Sequence, residues 1–207
     1  MELFKEYQAD IMLILSSICG IMTVFVYLTK VISKKRKVTL MMLELCAMFL
    51  LIADRRAYIF RGDASALGFW MVRISNFLVF FLTLLEIDVF NWYLIDLYTH
   101  EGGLKEVPGR LKAVRLLALA GMAMVIISQF TGFYYTFDEM NRYQRAPGFI
   151  VCYVVPLSIL LLQISVLWKY RHRLSRGIET SLFLFTGLSI VASIFQVFLY
   201  GISLNNL

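Results

Sequence analysis

Ionisable side chains set inside long apolar runs are the first candidates for chemistry, because a charge carried into hydrocarbon is costly and is kept where it binds, pairs or relays. Glu44, Glu86 and Asp88 are three such carboxylates. Groups of this kind can relay protons or cations along a bundle. The competing reading is hydrogen bonding to Asn, Thr or Tyr neighbours, with the carboxyl protonated. A second set, Asp54, Arg55, Arg56, Arg61, Asp63 and Arg73, clusters near the opposite ends of the same apolar runs. Its arginines suit an anionic small-molecule ligand. Alternatively they are neutralised locally, for example Arg73 by Asp54, while Arg55 and Arg56 extend to lipid headgroups.

Spacing sharpens this picture on the third apolar run. At about 100° per residue, Arg73, Asn76, Thr83 and Asn91 fall within one arc of about 80°. Glu86 and Asp88 lie about 60° beyond its two edges. A polar stripe of that width must face a bundle interior or a water-filled cleft.

The stretch Phe130-Thr131-Gly132-Phe133-Tyr134-Tyr135-Thr136-Phe137-Asp138-Glu139-Met140-Asn141-Arg142-Tyr143-Gln144-Arg145 interleaves six aromatics with polar residues. It reads either as a lid over an outer pocket, with Tyr135 and Asp138 as ligand contacts, or as an interfacial aromatic belt. Candidate ligand contacts are therefore Arg55, Arg56, Arg73, Asn76, Tyr135 and Asp138. The buried polar set is Glu44, Asp54, Glu86, Asp88 and Asn91.

Other chemistries are excluded. His100 and His172, the two histidines, fall in or beside basic loops, so no bis-histidine haem or metal site forms within the apolar runs. Cys19, Cys46 and Cys152 are odd in number, lie inside apolar runs and show no CxxC spacing, so neither a disulfide framework nor a zinc site is expected. No Ser/His/Asp set, phosphate loop or dinucleotide motif occurs, and no cofactor is expected. Asp54-Arg55-Arg56-Ala57-Tyr58 resembles the receptor DRY motif only superficially, on the wrong helix and the wrong side.

The elements that must position these residues follow from composition. Sixty per cent of the 207 residues are apolar and 16% are charged, against about a quarter charged in soluble domains. Mean hydropathy is +0.75. A hydrocarbon core about 30 Å thick needs about 20 apolar residues per helix. Six stretches qualify: 11–29, 38–60, 67–98, 111–130, 149–168 and 178–200. The expected fold is all-α, a polytopic membrane bundle of six helices in a single domain over 1–207.

Basic residues set the orientation. Lys30, Lys34, Lys35, Arg36 and Lys37 follow the first stretch. Lys105, Arg110, Lys112 and Arg115 follow the third, and Lys169, Arg171, Arg173 and Arg176 the fifth. Every second loop is basic, which puts those loops in the cytoplasm and the N-terminus outside. The +6 net charge is thus a match for an anionic inner leaflet, and no nucleic-acid partner is expected. The start, Met1-Glu2-Leu3-Phe4-Lys5-Glu6, lacks the basic flank of a cleavable signal.

Three segments carry a family resemblance. Phe137-Asp138-Glu139-Met140-Asn141-Arg142-Tyr143-Gln144-Arg145-Ala146-Pro147-Gly148, Tyr170-Arg171-His172-Arg173-Leu174-Ser175-Arg176-Gly177 and Gln196-Val197-Phe198-Leu199-Tyr200-Gly201-Ile202-Ser203-Leu204 resemble the N-terminal multi-helix sensor region of bacterial GGDEF diguanylate cyclases. That region is similar to the seven-helix input modules of histidine kinases. The resemblance implies a sensory module in the bacterial inner membrane, a homodimer formed through the full-length protein, and a seventh helix leading to a cytoplasmic domain that makes cyclic di-GMP. The seventh helix and the catalytic domain are missing from these 207 residues, so the chain itself is not expected to be an enzyme. A small transporter using Glu44, Glu86 and Asp88, or a structural assembly subunit without a ligand, are the alternatives.

Overall fold

A computed structural model of the chain describes residues 2–204, with side chains described for residues 7–191. It is all-α apart from one short hairpin, in the order α1 (Glu2–Leu28), α2 (Lys34–Ile59), α3 (Ala66–His100), α4 (Gly109–Thr131), β1 (Tyr135–Phe137), β2 (Tyr143–Arg145), α5 (Val151–Lys169) and α6 (Arg176–Leu204). A 3-10 turn at Pro147–Ile150 leads into α5. The six helices fall on the six expected stretches, and most extend beyond them because polar ends cap readily. Ser33 accepts the Arg36 N–H at the start of α2, and Ser65 accepts the Gly68 N–H at 3.0 Å at the start of α3. Gly132 ends α4 in a left-handed conformation, φ 65°, which lacks steric cost for glycine.

Among the described residues, four segments are long and apolar enough to cross a membrane: Tyr7–Leu28, Ala66–His100, Gly109–Thr131 and Pro147–Lys169. Six helices are present, and these four carry the length and composition of a span. Helix α2 differs because Glu44, Asp54, Arg55 and Arg56 interrupt its apolar run. The side chains of α6 beyond Val191, and with them those of the last part of the sixth expected stretch and of the segment 196–204, lie outside the described residues.

Consecutive helices pack side by side, and α3 also meets α5. Helix α1 lies on α2 through Ala9, Ser16 and Thr23, buried small residues seven apart, while Ile11, Ile14, Ile18 and Phe25 stay exposed. A heptad of small residues lets two helices approach closely where apolar burial gives no drive, as it does in lipid. Two apolar cores flank α3. One joins Leu84 to Val114, Ala118, Met122 and Val125 of α4, Ile159 of α5 and the hairpin tyrosines. The other joins Phe90, Leu94, Leu97 and Tyr98 to Leu111, Val166, Leu167 and Leu182.

The bundle has two chemically distinct ends. At the basic end, Lys35 and Arg36 of α2 contact Asp96 of α3, and Arg110 of α4 donates to Ser165 Oγ of α5 at 3.1 Å. The other end carries the 59–66 turn and the hairpin. The sequence reading anticipated a lid or a belt there, but not strands. With 35 residues, α3 runs about 50 Å and joins the two ends as one rod.

Candidate functional site: the hairpin clasp and its cleft

The hairpin forms because Asp138 organises its turn. Its Oδ1 accepts the Arg142 N–H at 2.8 Å and the Met140 N–H at 3.0 Å, and Gln144 Nε2 reaches Oδ2 at 3.4 Å. These donors, the Arg142 N–H foremost, hold the Asp138 carboxyl below the usual carboxylate range. Asn141 completes the turn at φ 54°, a left-handed conformation that asparagine tolerates better than most residues. Tyr135 then pairs with Arg145, and Phe137 with Tyr143.

The aromatics point mostly inward. Tyr134, Tyr135 and Tyr143 are buried, whereas Phe130 and Phe133 are exposed. Tyr135 stacks on Phe80 of α3 at 5.2 Å between centroids, and its hydroxyl lies 2.9 Å from Gln129 Nε2. Burial pushes the Tyr135 hydroxyl up to about 12. Tyr135 is therefore a keel that seats the hairpin on α3.

At the tip, Asn141 clasps the hairpin to the α2–α3 corner. Its Nδ2 donates to the Asp63 carbonyl at 2.8 Å, and its Oδ1 accepts from Arg73 Nη1 at 2.9 Å. The same Arg73 nitrogen donates to the Phe69 carbonyl at 3.0 Å. The guanidinium carbon sits 3.5 Å from the Phe69 ring centroid and 4.7 Å from that of Phe137. Asp63 is fixed in turn by the Ser65 N–H, which lowers its carboxyl below the ordinary value. Gly68 is obligatory at this corner: an added Cβ would stand 2.3 Å from the Asp63 carbonyl oxygen.

Beside the clasp opens a cleft of about 380 Å³, lined by Ala64, Ser65, Ala66, Phe69, Trp70, Arg73, Asp138, Glu139 and Asn141. It combines one guanidinium, two carboxylates, an amide and two aromatic rings. That mixture suits a ligand carrying both charge signs or a polar group on an apolar body better than a simple anion.

The structure brings only some of the expected contacts together. Arg73 and Asp138 line the cleft. Tyr135 lies inside the hairpin, and Asn76 donates to its own helix at the Val72 carbonyl, 2.8 Å away. Arg55 Nε donates to the Ala9 carbonyl of α1 at 3.1 Å, and Arg56 is exposed. Among the described residues no ion pair joins Asp54 to Arg73; the partner of Arg73 is the neutral amide of Asn141. The polar stripe of α3 is mostly satisfied locally: Thr83 donates to Val79, and Asn91, fully buried, donates to the Leu111 carbonyl of α4 at 3.0 Å. Glu44 and Glu86 lie within electrostatic reach of one another across α2 and α3, with Cys19 of α1 beside Glu44.

Sequence reasoning missed two organising residues. Asn141 was legible as the last position of Asp138-Glu139-Met140-Asn141, a turn pattern in which Asp caps and Asn takes the left-handed residue. Asp96, 4% exposed, is the hub of the basic end: it pairs with Lys35 at 3.1 Å, Arg36 at 3.3 Å and His100 at 3.3 Å, while Arg36 also pairs with Glu101. The signal there was an acid near the end of α3 opposite a run of four basic residues at the start of α2.

No family model matches the chain, and no curated protein or solved structure matches it either.

Proposed function

We propose that the chain is an integral membrane sensory input module of the bacterial inner membrane, with the hairpin end outside and the basic end in the cytoplasm. The observation that carries this reading is the connection of two ends by one helix. The cleft and its clasp sit on the first two turns of α3, and Asp96 anchors the last turns of the same helix to the basic start of α2. A ligand seated between Trp70, Arg73 and Asp138 displaces the hairpin relative to α3. A rigid rod carries such a displacement to the cytoplasmic ion pairs. The ligand must bind one packing state better than the other for any signal to pass. Following the resemblance, the output is a cytoplasmic diguanylate cyclase domain, dimeric in the full-length protein.

Neutralising Arg73 tests this. Arg73→Ala in the full-length protein should insert normally and change cyclic di-GMP output. Wild-type output from an inserted Arg73→Ala protein would remove the cleft from the mechanism.

The facing pair Glu44 and Glu86 favours a second reading, a small transporter relaying protons or cations. Flux in proteoliposomes that is lost in Glu86→Gln would support it, and an absence of flux in the wild type would exclude it.

A further inference from the structure

The groups that line the hairpin cleft divide into those already engaged and those left open. Arg73 is engaged. Its Nη1 is shared between Asn141 Oδ1 at 2.9 Å and the Phe69 carbonyl at 3.0 Å, and its guanidinium carbon lies over the Phe69 and Phe137 rings. The Asn141 amide is engaged at both ends, on Arg73 and on the Asp63 carbonyl. An anion entering the cleft would have to compete with these contacts and undo the clasp.

The open groups have the opposite sign. Asp138 uses Oδ1 for two backbone N–H groups, while Oδ2 receives the long 3.4 Å contact from Gln144. Glu139, next in the chain, is exposed. Among the described residues the salt bridges lie at the basic end, and none includes Asp138 or Glu139. Arg142 acts on Asp138 through space but does not line the cleft. Two carboxylates against one guanidinium leave the lining with an excess of negative charge.

Trp70 lines the same cleft and is 62% exposed, its ring held edge-on to Phe69 with centroids 5.3 Å apart. The other two tryptophans each lie under a cation: Trp92 under Arg115 at 5.1 Å and Trp168 under Arg171 at 4.6 Å. Among the described residues no side-chain cation lies over Trp70, and the neighbouring Phe69 ring already carries Arg73. An indole face beside carboxylates suits an organic ammonium ion, because the ring quadrupole attracts the charge while the ring body takes the apolar substituents. The volume of about 380 Å³ is that of a small-molecule site. We propose that the cleft binds an organic ammonium ion, its charge toward Asp138 and Glu139 and its substituents on the Trp70 ring. This rests on reading the cleft as the seat of a ligand, and adds the chemical class. The ammonium belongs either to a free amine or to a lipid headgroup.

The test is binding of radiolabelled choline to the purified full chain in detergent, with tetramethylammonium and acetate as competitors at equal ionic strength. Choline should bind saturably, tetramethylammonium should displace it and acetate should not. Trp70→Leu should weaken binding about tenfold and Glu139→Gln about threefold. Both positions are exposed, so neither change disturbs the core. Trp168→Leu, at the basic end, should leave the affinity unchanged. Nanodiscs separate the two sources. Binding kept in phosphatidylglycerol but lost in phosphatidylcholine assigns the site to a headgroup, and equal binding in both assigns it to a free amine. Absence of saturable choline binding, displacement by acetate, or wild-type affinity in Trp70→Leu overturns the proposal. Cyclic di-GMP output plays no part in this assay, so a failure here is distinct from a failure of the Arg73→Ala test.

Discussion

Arg73 and Asn141 stand 68 positions apart in the chain and meet at 2.9 Å, guanidinium Nη1 to amide Oδ1. Because the other end of the Asn141 amide holds the Asp63 carbonyl, one neutral side chain ties the hairpin to both sides of the α2–α3 corner. Four consequences can be measured.

Asn141→Ala removes both hydrogen bonds, taking a donor from the half-buried Asp63 carbonyl and leaving Arg73 with only the Phe69 carbonyl. The expected loss is about 1–3 kcal/mol, seen as a lower unfolding midpoint and faster proteolysis within 138–142. Arg73→Lys should not restore the clasp, because an ammonium lacks the planar fork that lies over Phe69 while bonding sideways.

Gly68→Ala should destabilise by about 1–3 kcal/mol, since the new Cβ would collide with the Asp63 backbone, which cannot swing away as a side-chain tip can. Gly177→Ala is the control: its Cβ meets nothing within 4 Å. The same thermal assay compares the two, and equal midpoints would show that the 59–66 turn yields freely.

The hairpin should loosen in acid. The Asp138 carboxyl is lowered in the folded state by the Arg142 N–H, so its contribution is fully present above its unfolded value of about 3.9 and fades as pH falls through the lower folded value. Near-ultraviolet circular dichroism of the buried tyrosines should therefore change below about pH 4. Asp138→Asn should shrink that change. An unaltered acid transition in this variant would assign it to another group.

At the basic end, Asp96→Asn should cost about 2–3 kcal/mol, because it removes the nearly buried negative charge that Lys35 and Arg36 face and turns an amide N–H toward one of them. Glu101→Gln should cost under about 1 kcal/mol, since that carboxylate is more exposed. Unfolding midpoints of the two variants give the comparison, and a larger loss for Glu101→Gln would move the hub away from Asp96.

What the sequence determined by itself is the set of properties that accumulate locally. Helix content and helix ends follow from runs of apolar residues, from Ser33 and Ser65 as caps and from Gly132 as a stop. The separation of a basic end from an aromatic one follows from which loops carry lysine and arginine. Arg73 and Asp138, which line the cleft, were legible as candidates because a charge in an apolar run and an Asp in an aromatic turn stand out from their neighbours. Only the tertiary structure decided which of these groups meet. Arg73 faces Asn141 and not Asp54, Tyr135 turns inward onto Phe80, and Asp96 gathers Lys35, Arg36 and His100. Helical periodicity gives the direction of a side chain from its own axis. Partner choice depends on the rotation and depth of a second helix, which are set by how the small residues of α1 and the two cores around α3 pack, and no local pattern contains those quantities.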